Sequence, residues 1–169
     1  MTDRLDVRPF CEADIARLIA LFADPNVSGF VGDGRPLTHD DASLWVQKSA
    51  ENIKRYGYGT GAIERRRDGR VIGWAGFARP TDGPEQIVYG LGADHWRQGY
   101  GSEIVEALVG FADGRDMPVT WATVDPQNLV SVHLLCAVGF ELVERAYGGD
   151  LDCDLYRRTR PSAPRVSPS

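Results

Sequence analysis

Two glycines one residue apart, Gly99 and Gly101, stand where a strand-like run gives way to an amphipathic helical pattern. They leave the backbone bare at the start of that helix. The first N–H groups of a helix have no partner within it, and the helix dipole adds partial positive charge there. Together these features make an anion site, most naturally for a phosphate, and Arg97 is placed to add a charge-assisted contact. A tight strand-to-helix turn explains the same glycines without any ligand, and a GxG pair alone does not separate the two readings. Spacing excludes two other phosphate signatures. There is no GxxxxGK(S/T), hence no P-loop, and no GxGxxG in a βαβ unit followed by a ribose-binding acid.

Other reactive side chains carry less. His39, His95 and His133 include no HxxxH pair, so no metal is expected. Cys11, Cys136 and Cys153 are odd in number and scattered, without a CxxC. They read as small buried side chains in a reducing interior, not as a disulfide frame. Trp45, Trp74, Trp121 and the tyrosines are expected in the core or as cleft wall, since base stacking would call for a basic surface.

The elements that must position these residues follow from periodicity. Residues 4–10 alternate and predict a strand. Ile15, Leu18, Ile19 and Phe22 share one face of a helix that ends near Pro25. Residues 25–37 read as a loop, and Thr38 with Asp41 as the start of a helix running to about Tyr56. Strands over 58–67 and 70–79 meet at Asp68-Gly69, a hairpin signal. Residues 85–91 form a further strand, and the helix after Gly101 stops at Gly114. A strand over 118–124 precedes an apolar helix from Asn128 to Val138, with Gly139 as its cap. Two strands, 140–147 and 151–159, close the domain. In the second, Leu151, Cys153 and Leu155 are expected on a buried face, and Asp152, Asp154 and Tyr156 on a wet one. The order predicts a mixed α/β sheet in one domain over residues 1–160, with a disordered tail over 161–169.

Composition bounds the function. The chain has 169 residues, a formal net charge of -5 and 43% hydrophobic residues, values of a soluble domain with a sizeable core. The acidic balance argues against nucleic-acid binding. No apolar run is long enough to span a bilayer, and the charged opening MTDRLDVRPF does not read as a signal peptide. A cytoplasmic location is expected.

The segments YGLGADHWRQGYGSE, DPQNLVS and AVGFELVER, in that order and spacing, resemble the GNAT superfamily of acetyl-CoA-dependent N-acetyltransferases, and within it the RimJ/RimL-type branch. The resemblance implies an α/β (α+β) fold with a mostly antiparallel central sheet, flanking helices, and splayed fourth and fifth strands. It implies acetyl-CoA as co-substrate, no metal, and allows a homodimer. By position, Arg97, Gln98, Gly99, Tyr100, Gly101 and Ser102 form the pyrophosphate loop, with Arg97 standing where the branch has glycine. Tyr89, Gly90 and Leu91 lie on the strand whose backbone pairs with the pantetheine amides as if the cofactor were an added strand. Asn128 matches a residue that contacts the pantetheine arm. On its own it reads equally as a helix-starting residue.

Amine acetylation needs a deprotonated amine, a polarised carbonyl and a stabilised thiolate. Many superfamily members place a tyrosine seven residues after the asparagine for the thiolate, and that position is Leu135 here. Ser131 is the candidate donor, or a hydroxyl bonding back into its helix. The base of the branch, a glutamate on the fourth strand, aligns with Gln86. Glu85 precedes it and is the candidate base, or an exposed strand-end charge. The acceptor is expected to be a primary amine, a protein or peptide N-terminus or a small amine. Asp33, Asp40, Asp41, Asp150, Asp152 and Asp154 would favour a cationic acceptor if they formed a groove. A non-catalytic acyl-CoA-binding sensor is the alternative reading.

Overall fold

The computed structural model describes residues 2–32, 34–81, 83–149 and 153–161; the tail expected to be disordered lies almost wholly outside them, as does Leu151. The chain runs β1 (Leu5–Pro9), α1 (Asp14–Phe22), α2 (Pro25–Ser28), α3 (His39–Tyr56), β2 (Thr60–Arg65), β3 (Arg70–Ala78), β4 (Gln86–Leu91), α4 (Tyr100–Gly114), β5 (Val119–Val124), α5 (Leu129–Ala137), β6 (Glu141–Glu144) and β7 (Asp154–Thr159). The seven strands form one sheet in the order β1-β2-β3-β4-β5-β7-β6. Every neighbouring pair is antiparallel except β4 and β5. A parallel pair needs a crossover, and α4 supplies it.

The two faces of the sheet are covered differently. Trp74 and Ala62 pack with Leu18, Leu21 and Phe22 of α1 and with Trp45 of α3. Ala75, Phe77, Ile87, Ala122 and Tyr156 pack on the opposite face with Ile104 and Leu108 of α4 and Leu135 of α5. Trp74 lies flat over Gly90 on the next strand: a β-carbon at Gly90 would sit 2.2 Å from the indole ring. The indole then stacks against Phe22, with ring centroids 4.7 Å apart. Helix α3 starts with the capping box read from Thr38 and Asp41 and ends at Gly57, whose φ is 81°. Beside it, the buried Asp14 carboxylate takes two hydrogen bonds from Arg8 (2.8 and 3.0 Å) and one from the Cys11 N–H (2.8 Å), which fixes the β1–α1 corner.

Four expectations are corrected. The 25–37 loop contains a one-turn helix, α2, because Asp24 accepts from the Asn26 N–H at its N-terminus and Pro25 holds a helical φ. The hairpin closes at Arg65–Arg70, so its turn is four residues, with the left-handed φ at Gly69 alone (66°). The final strand has no wet face at Asp154 or Tyr156, which are 3% and 5% exposed. Tyr156 joins the core, and Asp154 accepts from the Ala146 N–H (3.1 Å). The cysteines are not buried: Cys11 and Cys136 are exposed, and Cys153 is half-buried. No helix among the described residues is long and apolar enough to cross a membrane.

Candidate active site

The sheet is interrupted between β4 and β5. These strands share a single paired position, Gln86 with Trp121, and separate beyond it. Gly92 donates its N–H to Ile72 O of β3 (2.9 Å). Backbone groups alternate in direction along a strand, so the N–H and C=O of Tyr89 point the other way, into the gap beside β5. That gap is a slot with strand-like hydrogen-bonding groups on one wall.

The slot leads to the turn between β4 and α4. Trp96 donates its indole N–H to Leu91 O (2.8 Å), and Gln98 its side-chain amide to Asp94 O (3.0 Å), so the turn is tied down by its own side chains. Arg97 and Gly99 both take left-handed backbone angles, φ 59° and 78°. Gly99 does so at no steric cost, whereas Arg97 is strained by roughly 1 kcal/mol. Arg97 thus holds the conformation a glycine would adopt. Gly99 is the N-cap of α4, and no side chain caps the helix. The N–H groups of Tyr100, Gly101 and Ser102 therefore open outward, as an anion site requires.

Arg4 braces this turn from just before β1, a contact that no local pattern announces. Its guanidinium donates to Gln98 O (2.9 Å), pairs with Glu103 (2.7 Å) and lies 4.5 Å over the Tyr100 ring. Partial burial would raise the Glu103 carboxyl, but hydrogen bonds from Thr2 and Arg4 outweigh it and hold the group below its usual range.

Helix α5 forms the far wall. Asn128 caps it, accepting from the Ser131 N–H (3.2 Å), which leaves the Asn128 amide N–H groups free to donate. The helix-starting and ligand-contacting readings of this residue are therefore compatible. The Ser131 side chain lies within hydrogen-bonding reach of the Tyr89 hydroxyl. The Tyr89 hydroxyl spans from β4 to Ser131 O (3.5 Å), and burial pushes its pKa up. Leu135 is 1% exposed and belongs to the core. The structure therefore brings together Tyr89, Asn128 and Ser131 and the 97–102 turn. Of these, the Tyr89 side chain escaped sequence reasoning, which assigned only its backbone.

Glu85 is set apart from this group. Its carboxylate pairs with Arg79 (2.7 Å) and accepts from the Tyr58 hydroxyl (3.3 Å). At ~3.3 Å per residue it lies about 13 Å along the strand from Tyr89. The β3–β4 register runs unbroken from Ala78–Gln86 to Gly73–Leu91, and Glu85 lies just before it. Gln86, one residue on, faces the opposite side and accepts from the Thr123 hydroxyl (2.6 Å), fastening β4 to β5 at the closed end of the gap. His95 is buried, and its pKa is lowered by that burial and by Arg65 and Arg17 nearby. Among the described residues no group of three His, Cys, Asp or Glu gathers as a metal site would require. Of the acids expected to favour a cationic acceptor, Asp41 serves the α3 cap and Asp154 is buried, and Asp33, Asp150 and Asp152 lie outside the described residues.

Known proteins share this fold. Residues 4–141 match the family model described as an acetyltransferase (GNAT) domain. An uncharacterized N-acetyltransferase of Bacillus subtilis (strain 168), YoaA, is 27% identical over 169 residues, covering 95% of this chain and 96% of its own. The crystal structure of an acetyltransferase from Agrobacterium tumefaciens strain C58 is 26% identical, with a TM-score of 0.81 over 95% of this chain and 93% of that one. RimL, a ribosomal alpha-N-protein acetyltransferase solved in complex with coenzyme A, shares the fold at 18% identity, with a TM-score of 0.76 over 94% of this chain and 95% of that one.

Proposed function

The chain belongs to the GNAT acetyltransferase family, and from that premise we propose that it moves an acetyl group from acetyl-CoA to a primary amine. The amine attacks directly in a ternary complex, and the acceptor is a protein or peptide N-terminus or a small amine. One observation carries this reading. The gap beside β4 offers strand-like hydrogen bonding at Tyr89 and continues into an uncapped helix N-terminus at Gly99–Ser102. The pantetheine arm of coenzyme A needs the first and its pyrophosphate the second. Backbone N–H groups of Tyr100, Gly101 and Ser102 would hold the phosphates, the Tyr89 backbone the amides, and the Asn128 side chain the same arm.

The acid–base chemistry follows from what stands near the slot. An amide takes up no proton, so Gln86 is not a base. Glu85 is held by Arg79 at the closed end of the gap. The acceptor therefore arrives neutral or gives its proton to water, and the enzyme contributes chiefly by holding the partners together. For the departing thiolate, Ser131 Oγ, beside the Tyr89 hydroxyl, is the candidate donor. A thiol of this kind has a pKa near 8.5 and leaves without full protonation, so the serine adds only moderate assistance.

Two predictions arise here. Ser131→Ala should lower kcat by roughly tenfold to a hundredfold, about 1.4–2.8 kcal/mol, while the KM for acetyl-CoA changes little. Full kcat with chemistry rate-limiting would reduce Ser131 to a helix residue. Glu85→Gln should leave the acidic limb of the kcat/KM pH profile in place. Disappearance of that limb would make Glu85 the base after all. The activity itself is tested by thiol release from acetyl-CoA with a panel of peptides and small amines. Tight acetyl-CoA binding without turnover on any amine would favour a non-catalytic acyl-CoA sensor instead.

A further inference from the structure

Thr2 and Arg4, just ahead of β1, converge on the head of α4. Glu103, in the first turn of that helix, accepts from the Thr2 hydroxyl, from the Arg4 backbone N–H (3.0 Å) and from Arg4 Nε (2.7 Å). Thr2 is itself tied to β1, its hydroxyl taking the Leu5 N–H (3.0 Å). Arg4 Nη1 donates to Gln98 O (2.9 Å), and the guanidinium lies 4.5 Å from the centre of the Tyr100 ring. It also crowds the turn: a β-carbon at Gly99 would come within 3.3 Å of Arg4 Nη2.

These contacts act on the face of the turn proposed for the pyrophosphate in two ways. The first is steric. A trans peptide is planar, with its C=O and N–H on opposite sides. Holding Gln98 O toward Arg4 therefore turns the Gly99 N–H the other way. With Arg97 and Gly99 both in left-handed conformations, the peptide between them has little other reason to stay in one orientation. The second is electrostatic. An acid in the first turn suits the helix dipole, but Glu103 also stands within a turn of the N–H groups that would meet the phosphates. Burial would raise its carboxyl, yet hydrogen bonds from Thr2 and Arg4 hold it below its usual range, so it is ionised at neutral pH. Arg4 both offsets that charge and draws the carboxylate toward β1.

Resting on the assignment of the turn to the pyrophosphate, we infer that Arg4 is a positioning residue for coenzyme A. Without touching the ligand, it fixes the peptide before the helix and neutralises Glu103. The affinity of the slot for its ligand then depends on a side chain outside the elements that form it.

Isothermal titration of the full chain with coenzyme A, together with amide hydrogen exchange of the ligand-free protein, tests this. Arg4→Ala should weaken coenzyme A by about tenfold. The Arg4 side chain is 48% exposed, so the fold should tolerate the change. In the ligand-free variant the amides of 98–102 should exchange faster, while those of β2 and β3 keep their protection. Arg4→Lys keeps the charge but not the fork of donors, and should recover only part of the affinity. Part of the loss in Arg4→Ala comes from the uncompensated Glu103 carboxylate, so adding Glu103→Gln should tighten binding again by about threefold. Wild-type affinity in Arg4→Ala overturns the inference and leaves the cofactor reading standing. So does a weakened Arg4→Ala whose 98–102 amides exchange as in wild type and whose affinity Glu103→Gln does not improve, because Arg4 would then contact the ligand itself. Failure of the wild-type protein to bind coenzyme A removes the cofactor reading together with the inference.

Discussion

Gly101→Asp should weaken coenzyme A binding by about a hundredfold or more, near 2.7 kcal/mol, measured by isothermal titration. The residue lies in the first turn of α4, where N–H groups open toward the proposed phosphate position. An aspartate there is welcome to the helix itself, because a negative charge complements the dipole. Its β-carbon would meet only the end of a flexible side chain, Leu134 Cδ1 at 3.0 Å, which can move aside. The fold should therefore survive. The carboxylate would compete for the N–H groups that the phosphates need and would repel them as well. Gly101→Ala adds bulk without charge and should cost only a few-fold. Unchanged affinity in a folded Gly101→Asp protein would exclude this placement of the cofactor.

Asp14→Ala should destabilise the protein by about 3 kcal/mol in urea titration, the lower end for one partner removed from a buried ion pair. The carboxylate is 3% exposed and joins β1 to α1 through Arg8 and the Cys11 N–H. The loss stays at the lower end because Arg8 keeps Glu64 (2.8 Å) and a third of its side chain remains in water. The same pair sets a dependence on acid. Burial alone would raise the Asp14 carboxyl, but hydrogen bonds from Arg8 and the Cys11 N–H outweigh it and hold the group below its ordinary range. A depressed folded-state pKa stabilises the protein above the unfolded value, about 3.9, and that stabilisation fades as pH falls through the folded value. The gap between wild type and Asp14→Ala should thus be widest near neutrality and narrow below pH ~4. A gap that held constant into acid would mean that the contribution of Asp14 is not ionic.

What the sequence made legible was local. The Thr38–Asp41 capping box, Gly139 at a helix end, and Gly99 at the head of α4 each act within one turn of chain, where the residue types are themselves the cause. The geometry of the turn proposed for the pyrophosphate was readable for the same reason, since the exposure of its backbone N–H groups depends on glycine and helix polarity. What escaped involves partners distant in sequence. Arg4 reaches Gln98 across 94 residues, and Thr123 meets Gln86 across 37. No periodicity encodes either meeting. The expected wet face of β7 failed because alternation counts a carboxylate as exposed, whereas Asp154 finds the Ala146 N–H waiting inside. Glu85 was ambiguous from parity alone, and only its ion pair with Arg79 decides which way it is drawn.

The single pairing between β4 and β5 divides the molecule into two half-sheets, β1–β4 and β5–β7–β6, held together by α4, the Gln86–Thr123 bond and the packing beneath. A slender ligand lying in that seam would be a structural member as much as a reactant, the missing strand that makes the sheet continuous. Thermodynamic linkage then couples occupancy to the survival of the fold. At a hundred times its dissociation constant a ligand adds about 2.7 kcal/mol to the free energy of unfolding. That is a sizeable share of the 5–15 kcal/mol typical of a domain. The lifetime of this protein would then rise and fall with the supply of the molecule that fills its seam.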